Sequence, residues 1–260
     1  MSHAHPHRPR TETPRGLAGF VRRRFERGAR YGLGLTLAAA VTFVAVWVFV
    51  QMFSAFTDAG GVAAADRAVM EAMESVVSDE LTPWVVRLTT IGGTAALTLF
   101  VVAVGIGLIV FRRRWEALQL VVASGLGGLV VLGLKATFAR PRPAEQVISA
   151  TGFSFPSGHA FASMVFYGTL LTIVWQITDR WAWRAVAAVA LPLLILSIGA
   201  SRLYLNVHYL TDVVAGFAAG FVWLTAVYFV VDGVEHRRKR REQAATNAEQ
   251  GTTVHGHAAA

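Results

Sequence analysis

Of the eight histidines in the chain, five lie in the tails and His236 stands at the basic end of the last apolar run. His159 and His208 alone fall within the apolar body. A polar residue beside membrane-type helices is a functional candidate by default. His208 and Asp212 are four apart, so on a helix they share a face. A carboxylate there accepts the proton of one ring nitrogen and leaves the other free as nucleophile or base. Phe155-Pro156-Ser157-Gly158-His159 opens another apolar run. Pro and Gly shape a tight turn, Ser157 is a natural helix cap, and the free N–H groups of a helix start attract an anion. Four cations, Lys135, Arg140, Arg142 and Arg202, sit in short segments beside apolar runs, and the chain has only two lysines. One snorkelling cation would be ordinary; four on the side that holds both histidines point to an anionic ligand.

The elements that must position these groups are membrane spans. The composition is 54% hydrophobic and 15% charged, against about 25% charged in a soluble domain, with a mean hydropathy of +0.49. Disorder is excluded for the body of the chain. With no cysteine, so are a disulfide scaffold and a cysteine-ligated metal site. Uncharged runs at 31–53, 91–111, 117–134, 160–178 and 213–231, and a shorter one at 185–200 that extends toward Leu205, each approach the length needed to cross about 30 Å of hydrocarbon. In lipid each must be a helix, because its backbone groups have no water to bond. The expected fold is therefore all-α: an integral membrane six-helix bundle over 31–231, with a basic tail at 1–30 and a basic, disordered tail at 232–260. The pattern at 62–77 adds a short amphipathic helix after the first span, lying on the membrane surface or capping the bundle. Gly125, Gly127, Gly128, Gly216 and Gly220 suit close helix packing, and Gly216-x-x-x-Gly220 suits internal packing more than a dimer face.

Orientation follows from basic residues. With the N-terminus inside and six spans, 18 of the 24 cations fall in inner segments and six fall outside: Arg67, Arg87, Lys135, Arg140, Arg142 and Arg202. Both termini are then cytoplasmic and both body histidines extracytoplasmic. This asymmetry accounts for the net charge of +8 without nucleic acid as a partner. The basic run Arg237–Arg241 suits anionic lipid head groups. The tail histidines His3, His5 and His7 read as a solvated terminus rather than a metal tract.

Taken together the segments read Lys135-x6-Arg142-Pro143, Pro156-Ser157-Gly158-His159 and Ser201-Arg202-x5-His208-x3-Asp212. This resembles the three-part signature of the type 2 phosphatidate phosphatase superfamily, which also includes vanadium-dependent haloperoxidases. The resemblance covers 135–212 by motif and 31–231 by span layout. It implies that His208 attacks phosphorus and forms a phosphohistidine, that Asp212 orients its ring, and that His159 protonates the leaving oxygen and then activates water. It also implies that Lys135, Arg142, Ser157, Gly158 and Arg202 hold the phosphoryl oxygens. Phosphoryl transfer needs positioning and charge stabilisation, and three cations with backbone donors supply both without a metal or another cofactor. Arg140 lies outside the signature.

The resemblance thus implies a membrane lipid phosphate phosphatase acting on phosphatidate, phosphatidylglycerophosphate or polyprenyl diphosphate. Three alternatives share its features. A phosphotransferase would use the same site with another acceptor. A non-enzymatic phosphate-lipid transporter would need cations but neither the His-Asp pair nor a second histidine, and no inverted repeat is visible. A haloperoxidase would hold vanadate, although membrane spans around the motifs favour lipid chemistry. Phe153, Phe155, Tyr204, Tyr209 and Leu210 suit either a portal for lipid tails or an interfacial aromatic belt.

Overall fold

The structure, a computed structural model, describes residues 33–257, with side chains over 35–247. The basic segment at 1–30, with its three histidines, lies outside the described residues. Among the described residues the chain is all-helical: α1 Leu33–Asp58, α2 Ala64–Glu74, α3 Thr82–Thr90, α4 Thr94–Val110, α5 Arg114–Phe138, α6 Gly158–Ile177, α7 Trp181–Tyr204 and α8 Leu210–His257. Among the described residues, 44–257 belong to one compact unit, and 33–43, the start of α1, belong to another.

Five helices (α1, α5, α6, α7 and α8) are long and apolar enough to cross a membrane. The sixth expected span is not one helix. The uncharged run at 91–111 holds only α4; the turn at 91–93 separates it from α3, which precedes the run, and the two helices bend by 43° at that break, so the pair counts as one broken span or as a re-entrant segment. The break has a packing cause. A side chain on Gly92 would overlap Ile198 of α7, so the backbone crosses α7 where only glycine fits. The carbonyl of Ile91 freed at the break accepts a hydrogen bond from the Tyr167 hydroxyl at 2.9 Å, which meets the requirement that buried backbone groups find partners. The 17 residues of α4 rise only about 25 Å, so α4 alone falls short of the hydrocarbon thickness.

The stretch at 54–90 is mostly helical, and the amphipathic pattern at 62–77 is realised as α2. This helix caps the bundle rather than floating at a surface: Met73 and Val77 pack with Val85, Val86 and the buried Tyr204, Leu205 and Val207 at the α7–α8 turn. The segment expected as a disordered tail continues α8 without interruption to His257.

Glycines set how closely α6 and α8 approach. A Cβ on Gly216 would stand 2.7 Å from the carbonyl oxygen of Ser157, and one on Gly220 would stand 2.9 Å from that of Phe161. The Gly216-x-x-x-Gly220 ridge is thus used inside the unit. Gly127 of α5 packs on Trp223 of α8 in the same way, whereas a methyl group added to Gly125 or Gly128 would meet nothing within 4 Å. The Trp223 indole N–H donates to the carbonyl of Ala123 at 2.8 Å, and Gln119 donates to Thr172 at 2.9 Å, so polar bonds join α5 to both neighbours. Near the site, Phe49, Phe53 and Phe56 of α1 surround Phe155 with Phe138, with ring centroids 4.8 to 6.4 Å apart. Each such pair adds about 0.5–1.5 kcal/mol beyond its buried area.

Candidate active site

The phosphate-binding candidates are delivered by helix ends. Lys135 lies in the last turn of α5. The chain then turns through Ala139, whose φ of +44° lies in the left-handed region, and this places Arg140 and Arg142 in the segment that leads to α6. Gly158 and His159 open α6, Arg202 lies in the last turn of α7, and His208 precedes α8 by two residues. Lys135, Arg142, Gly158, His159, Arg202 and His208 line a single cavity of about 840 Å³. Ser157 and Asp212 stand behind this wall, both fully buried.

His208 is held from both sides. Its Nδ1 lies 3.4 Å from Asp212 Oδ2, and its Nε2 lies 3.1 Å from Arg142 Nη1. Arginine only donates, so Nε2 carries the lone pair and Nδ1 carries the proton that faces the carboxylate. Burial pushes the His208 pKa down to about 4, against the opposing pull of Asp212. The ring is therefore neutral, and its unprotonated nitrogen faces Arg142.

The partners of those cations are neutral. Lys135 Nζ donates to the carbonyls of Phe153 at 2.6 Å and Ser154 at 3.2 Å. Arg142 donates to the carbonyls of Thr151, Gly152 and Val207. Arg202 Nη1 donates to the Thr89 hydroxyl at 3.0 Å, while its buried Nε has no partner among the described residues.

Ser157 departs from expectation. It occupies the cap position of α6, but its Oγ forms no cap bond and is buried without a partner among the described residues. Its backbone N–H instead donates to the carbonyl of Asp212 at 2.9 Å, which ties the start of α6 to the start of α8. The first helical bond of α6 runs from Phe161 N to Ser157 O. The amides of Gly158, His159 and Ala160 therefore have no acceptor within the helix. A Cβ added to Gly158 would lie 3.6 Å from Lys135 Cε, and one added to Gly93 would lie 3.5 Å from His159 Nε2. Glycine thus brings two backbones close to the reactive groups.

Two residues of the site were not assigned from sequence. Arg140 does not join the cavity. It is 2% exposed and bonds Asp212 Oδ1 at 2.6 Å and Asp66 Oδ2 at 2.8 Å. Asp66, placed by sequence on an amphipathic helix among other acids, is 0% exposed. The available signal was Arg140 itself, a cation beside a span with no place in the signature. The aromatics proposed as a tail portal do not line the cavity either. Phe155 is buried in the aromatic cluster, Tyr209 lies over Arg140, and Tyr204 bonds the Ser78 backbone. The cavity wall away from the cations comes instead from Leu97, Val101 and Val102 of α4, Val121, Gly125 and Gly128 of α5, and Val165 of α6.

The chain is similar to known proteins. Residues 116–234 match the family model described as the PAP2 superfamily. Phosphatidylglycerophosphatase B of Bacillus subtilis (strain 168) is 26% identical over 202 residues, covering 77% of this chain and 98% of its own. Among solved structures, a transmembrane PAP2-type phosphatidylglycerolphosphate phosphatase from Bacillus subtilis superposes with a TM-score of 0.64 at 23% identity, over 77% of this chain and 96% of that one. LpxE of Aquifex aeolicus superposes with a TM-score of 0.50 at 22% identity, over 62% of this chain and 93% of that one.

Proposed function

We propose that this chain is a membrane lipid phosphate phosphatase of the PAP2 superfamily, whose model matches residues 116–234, and that it hydrolyses a lipid phosphomonoester or diphosphate through a phosphohistidine on His208. One observation carries this reading: the cavity that holds His208, His159 and three cations at one end continues along an apolar wall of α4, α5 and α6. A charged head and an apolar tail are the two ends of one ligand, and that cavity has a place for each.

In the first step the Nε2 lone pair of His208 forms a bond to phosphorus as the bond from phosphorus to the lipid oxygen breaks. His159 gives that oxygen a proton, and Asp212 holds the Nδ1 proton as the ring gains positive charge. In the second step His159 takes a proton from water, the water oxygen bonds phosphorus, and the bond to Nε2 breaks to release inorganic phosphate. Lys135, Arg142, Arg202 and the amides that begin with Gly158 hold the equatorial oxygens throughout, while Ser157, behind the cavity wall, fixes the start of α6 through its backbone bond to Asp212. This cycle uses no metal ion or other cofactor. The name of the Bacillus relative supports phosphatidylglycerophosphate as a substrate; phosphatidate and polyprenyl diphosphate share the same chemistry.

The 31–231 body forms the phosphatase domain, flanked by basic tails. The excess of inner cations supports a cell-membrane protein with cytoplasmic termini and an extracytoplasmic site. Its partners are the bilayer and the lipid phosphate, not nucleic acid.

The test separates the two histidines. His208→Ala loses activity on every substrate. His159→Ala is nearly inert on lipid phosphate, because an alkoxide needs the proton, yet it still expels nitrophenolate from nitrophenyl phosphate. Water attack is then slow, so about one nitrophenol per site appears in a burst and an acid-labile phosphoryl group remains on the protein. A burst from His208→Ala instead would reverse the roles. Full activity in both variants would refute the site and the phosphatase mechanism with it.

A further inference from the structure

The group behind Asp212 has no place in the mechanism so far, and it is built with more polar contacts than the phosphate cradle. Arg140 is buried, and all five of its N–H donors are engaged. Nη1 donates to Asp212 Oδ1 at 2.6 Å and to Thr211 Oγ1 at 2.7 Å. Nη2 donates to Asp66 Oδ2 at 2.8 Å and to the carbonyl of Gly61 at 2.6 Å, and Nε donates to the same carbonyl at 3.2 Å. The guanidinium lies 4.2 Å from the Phe56 ring centroid and 4.0 Å from that of Tyr209. Asp66 is as fully committed. Its Oδ1 accepts from Thr211 N at 2.9 Å, and its Oδ2 accepts from the Thr211 hydroxyl at 2.9 Å as well as from Arg140. Oδ2 also accepts from the Ala63 N–H at 3.3 Å, which caps α2.

Asp212 therefore divides its two oxygens. Oδ1 faces Arg140, while Oδ2 accepts from Tyr209 N at 2.9 Å and faces His208 Nδ1 at 3.4 Å. The buried chain runs Asp66, Arg140, Asp212, His208, with one guanidinium shared by two carboxylates. Arg140 with Asp212 alone would be a neutral pair, with little attraction for a cationic ring. With Asp66 included the cluster carries one net negative charge. That charge is the counterpart of the positive charge the His208 ring acquires as Nε2 bonds phosphorus, and in a buried site such pairing is strong.

We propose that Asp66 is a positioning residue for the reaction: it draws on Arg140 so that Asp212 keeps a net negative charge toward His208, and it latches α2 to the start of α8. This rests on His208 being the nucleophile. Asp66 does not line the cavity, so its effect falls on the chemical step and not on substrate binding.

The test reads phosphoenzyme formation in the full-length His159→Ala protein in detergent, as the rate of the nitrophenol burst against nitrophenyl phosphate concentration. Adding Asp66→Asn lowers the maximal burst rate about tenfold or more and leaves the half-saturating concentration within twofold. Asp66→Glu, which keeps the charge, stays within a few-fold of the parent. Arg140→Met leaves two buried carboxylates facing each other without a cation, and their repulsion displaces Asp212 from His208, so it gives the slowest burst. The Asp66→Asn/Arg140→Met pair restores a single negative charge on Asp212 and is faster than Arg140→Met by about tenfold. Rates are expressed per folded protein, measured by thermal unfolding. If Asp66→Asn does not fold, the Asp66→Glu rate and the comparison of the pair with Arg140→Met carry the decision. A parental burst rate in Asp66→Asn, a loss confined to half-saturation, a slow Asp66→Glu, or a pair no faster than Arg140→Met overturns the proposal. A His159→Ala parent with no burst refutes the phosphohistidine reading instead, and that result is separate.

Discussion

The approach of α8 to α6 sets the active site, and Gly216→Ala perturbs it by one methyl group. That methyl would lie 2.7 Å from Ser157 O, 2.9 Å from Ala160 Cβ and 3.3 Å from Phe161 N. Non-bonded carbon contacts settle near 3.5–4.0 Å, so the start of α6 must retreat by about 1 Å. No rotamer relieves the clash, because two of the three atoms are backbone. The bond from Ser157 N to Asp212 O holds the same point from the other side. The retreat therefore shifts Gly158 and His159 relative to His208. Overpacking costs about 1–3 kcal/mol, of which the helix propensity of alanine returns about 1. The stability change is then modest, about 2 kcal/mol or less by those two figures. A misplacement of about 1 Å costs on the order of 100-fold in rate, so activity falls far more than the folded fraction does.

The assay is kcat/KM for phosphate release from a lipid phosphate in detergent, beside thermal unfolding of the same preparations. Gly107→Ala is the control, since nothing lies within 4 Å of its added methyl and it does not line the cavity; it keeps the wild-type rate. Wild-type kcat/KM in Gly216→Ala, or a loss no greater than its unfolded fraction, would refute the account of the helix contact.

Three further outcomes follow from the same geometry. Arg202→Lys keeps the charge but lacks the planar fork that bonds Thr89 and, in the proposed site, phosphate oxygens, and it loses on the order of 100-fold in kcat/KM; a wild-type rate would make Arg202 only a helix end. His208, held down to about 4 by burial, is opposed by Asp212 and assisted by Arg142 and Lys135, and its unfolded value lies near 6.5. The unfolded chain therefore binds more protons between those values, so this contribution to stability is present above about 6.5 and is lost as pH falls through about 4. The acid limb of kcat/KM that belongs to His208 stands near 4, and a limb near 6.5 would contradict the buried geometry. A single cysteine at the exposed Ala144, in a chain that has none, is labelled by a membrane-impermeant thiol reagent in intact cells; labelling only after permeabilisation overturns the proposed orientation.

Much of the candidate site's grouping was legible because chemistry-bearing residues are rare in so apolar a chain. His159 and His208 stood out by position alone, and the spacing to Asp212 survives as a contact. The wiring behind them was not legible. Asp66 lies in a segment with Asp58, Glu71, Glu74, Asp79 and Glu80, and nothing local marks it as the buried one. Its burial comes from α8, 145 residues away. The break between α3 and α4 was hidden for a related reason. Hydropathy counts side chains, and Gly92-Gly93 adds no charge to the run even though the backbone there is pressed against Ile198. Ser157 shows a third limit: residue type identified the cap position but not the direction of the hydroxyl.

The partners of the buried cations sort them by purpose. Arg140 is paired with two carboxylates, so its charge is already balanced within the protein. Among the described residues Lys135, Arg142 and Arg202 form no ion pair with a carboxylate; carbonyl and hydroxyl dipoles hold them instead. A buried charge costs several kcal/mol if nothing compensates it, and dipoles offset only part of that cost without cancelling the charge. Had carboxylates filled this role, phosphate would have had to break an ion pair to bind, and each product release would have re-formed it. Under the proposed function, neutral partners hold the three cations in place while leaving their charge for the incoming anion. The same logic keeps Asp212 off the phosphate cations and on Arg140. A carboxylate bonded to Arg142 would cancel the charge that the proposed mechanism assigns to phosphate, whereas one bonded to Arg140, which Asp66 shares, remains available to the ring of His208.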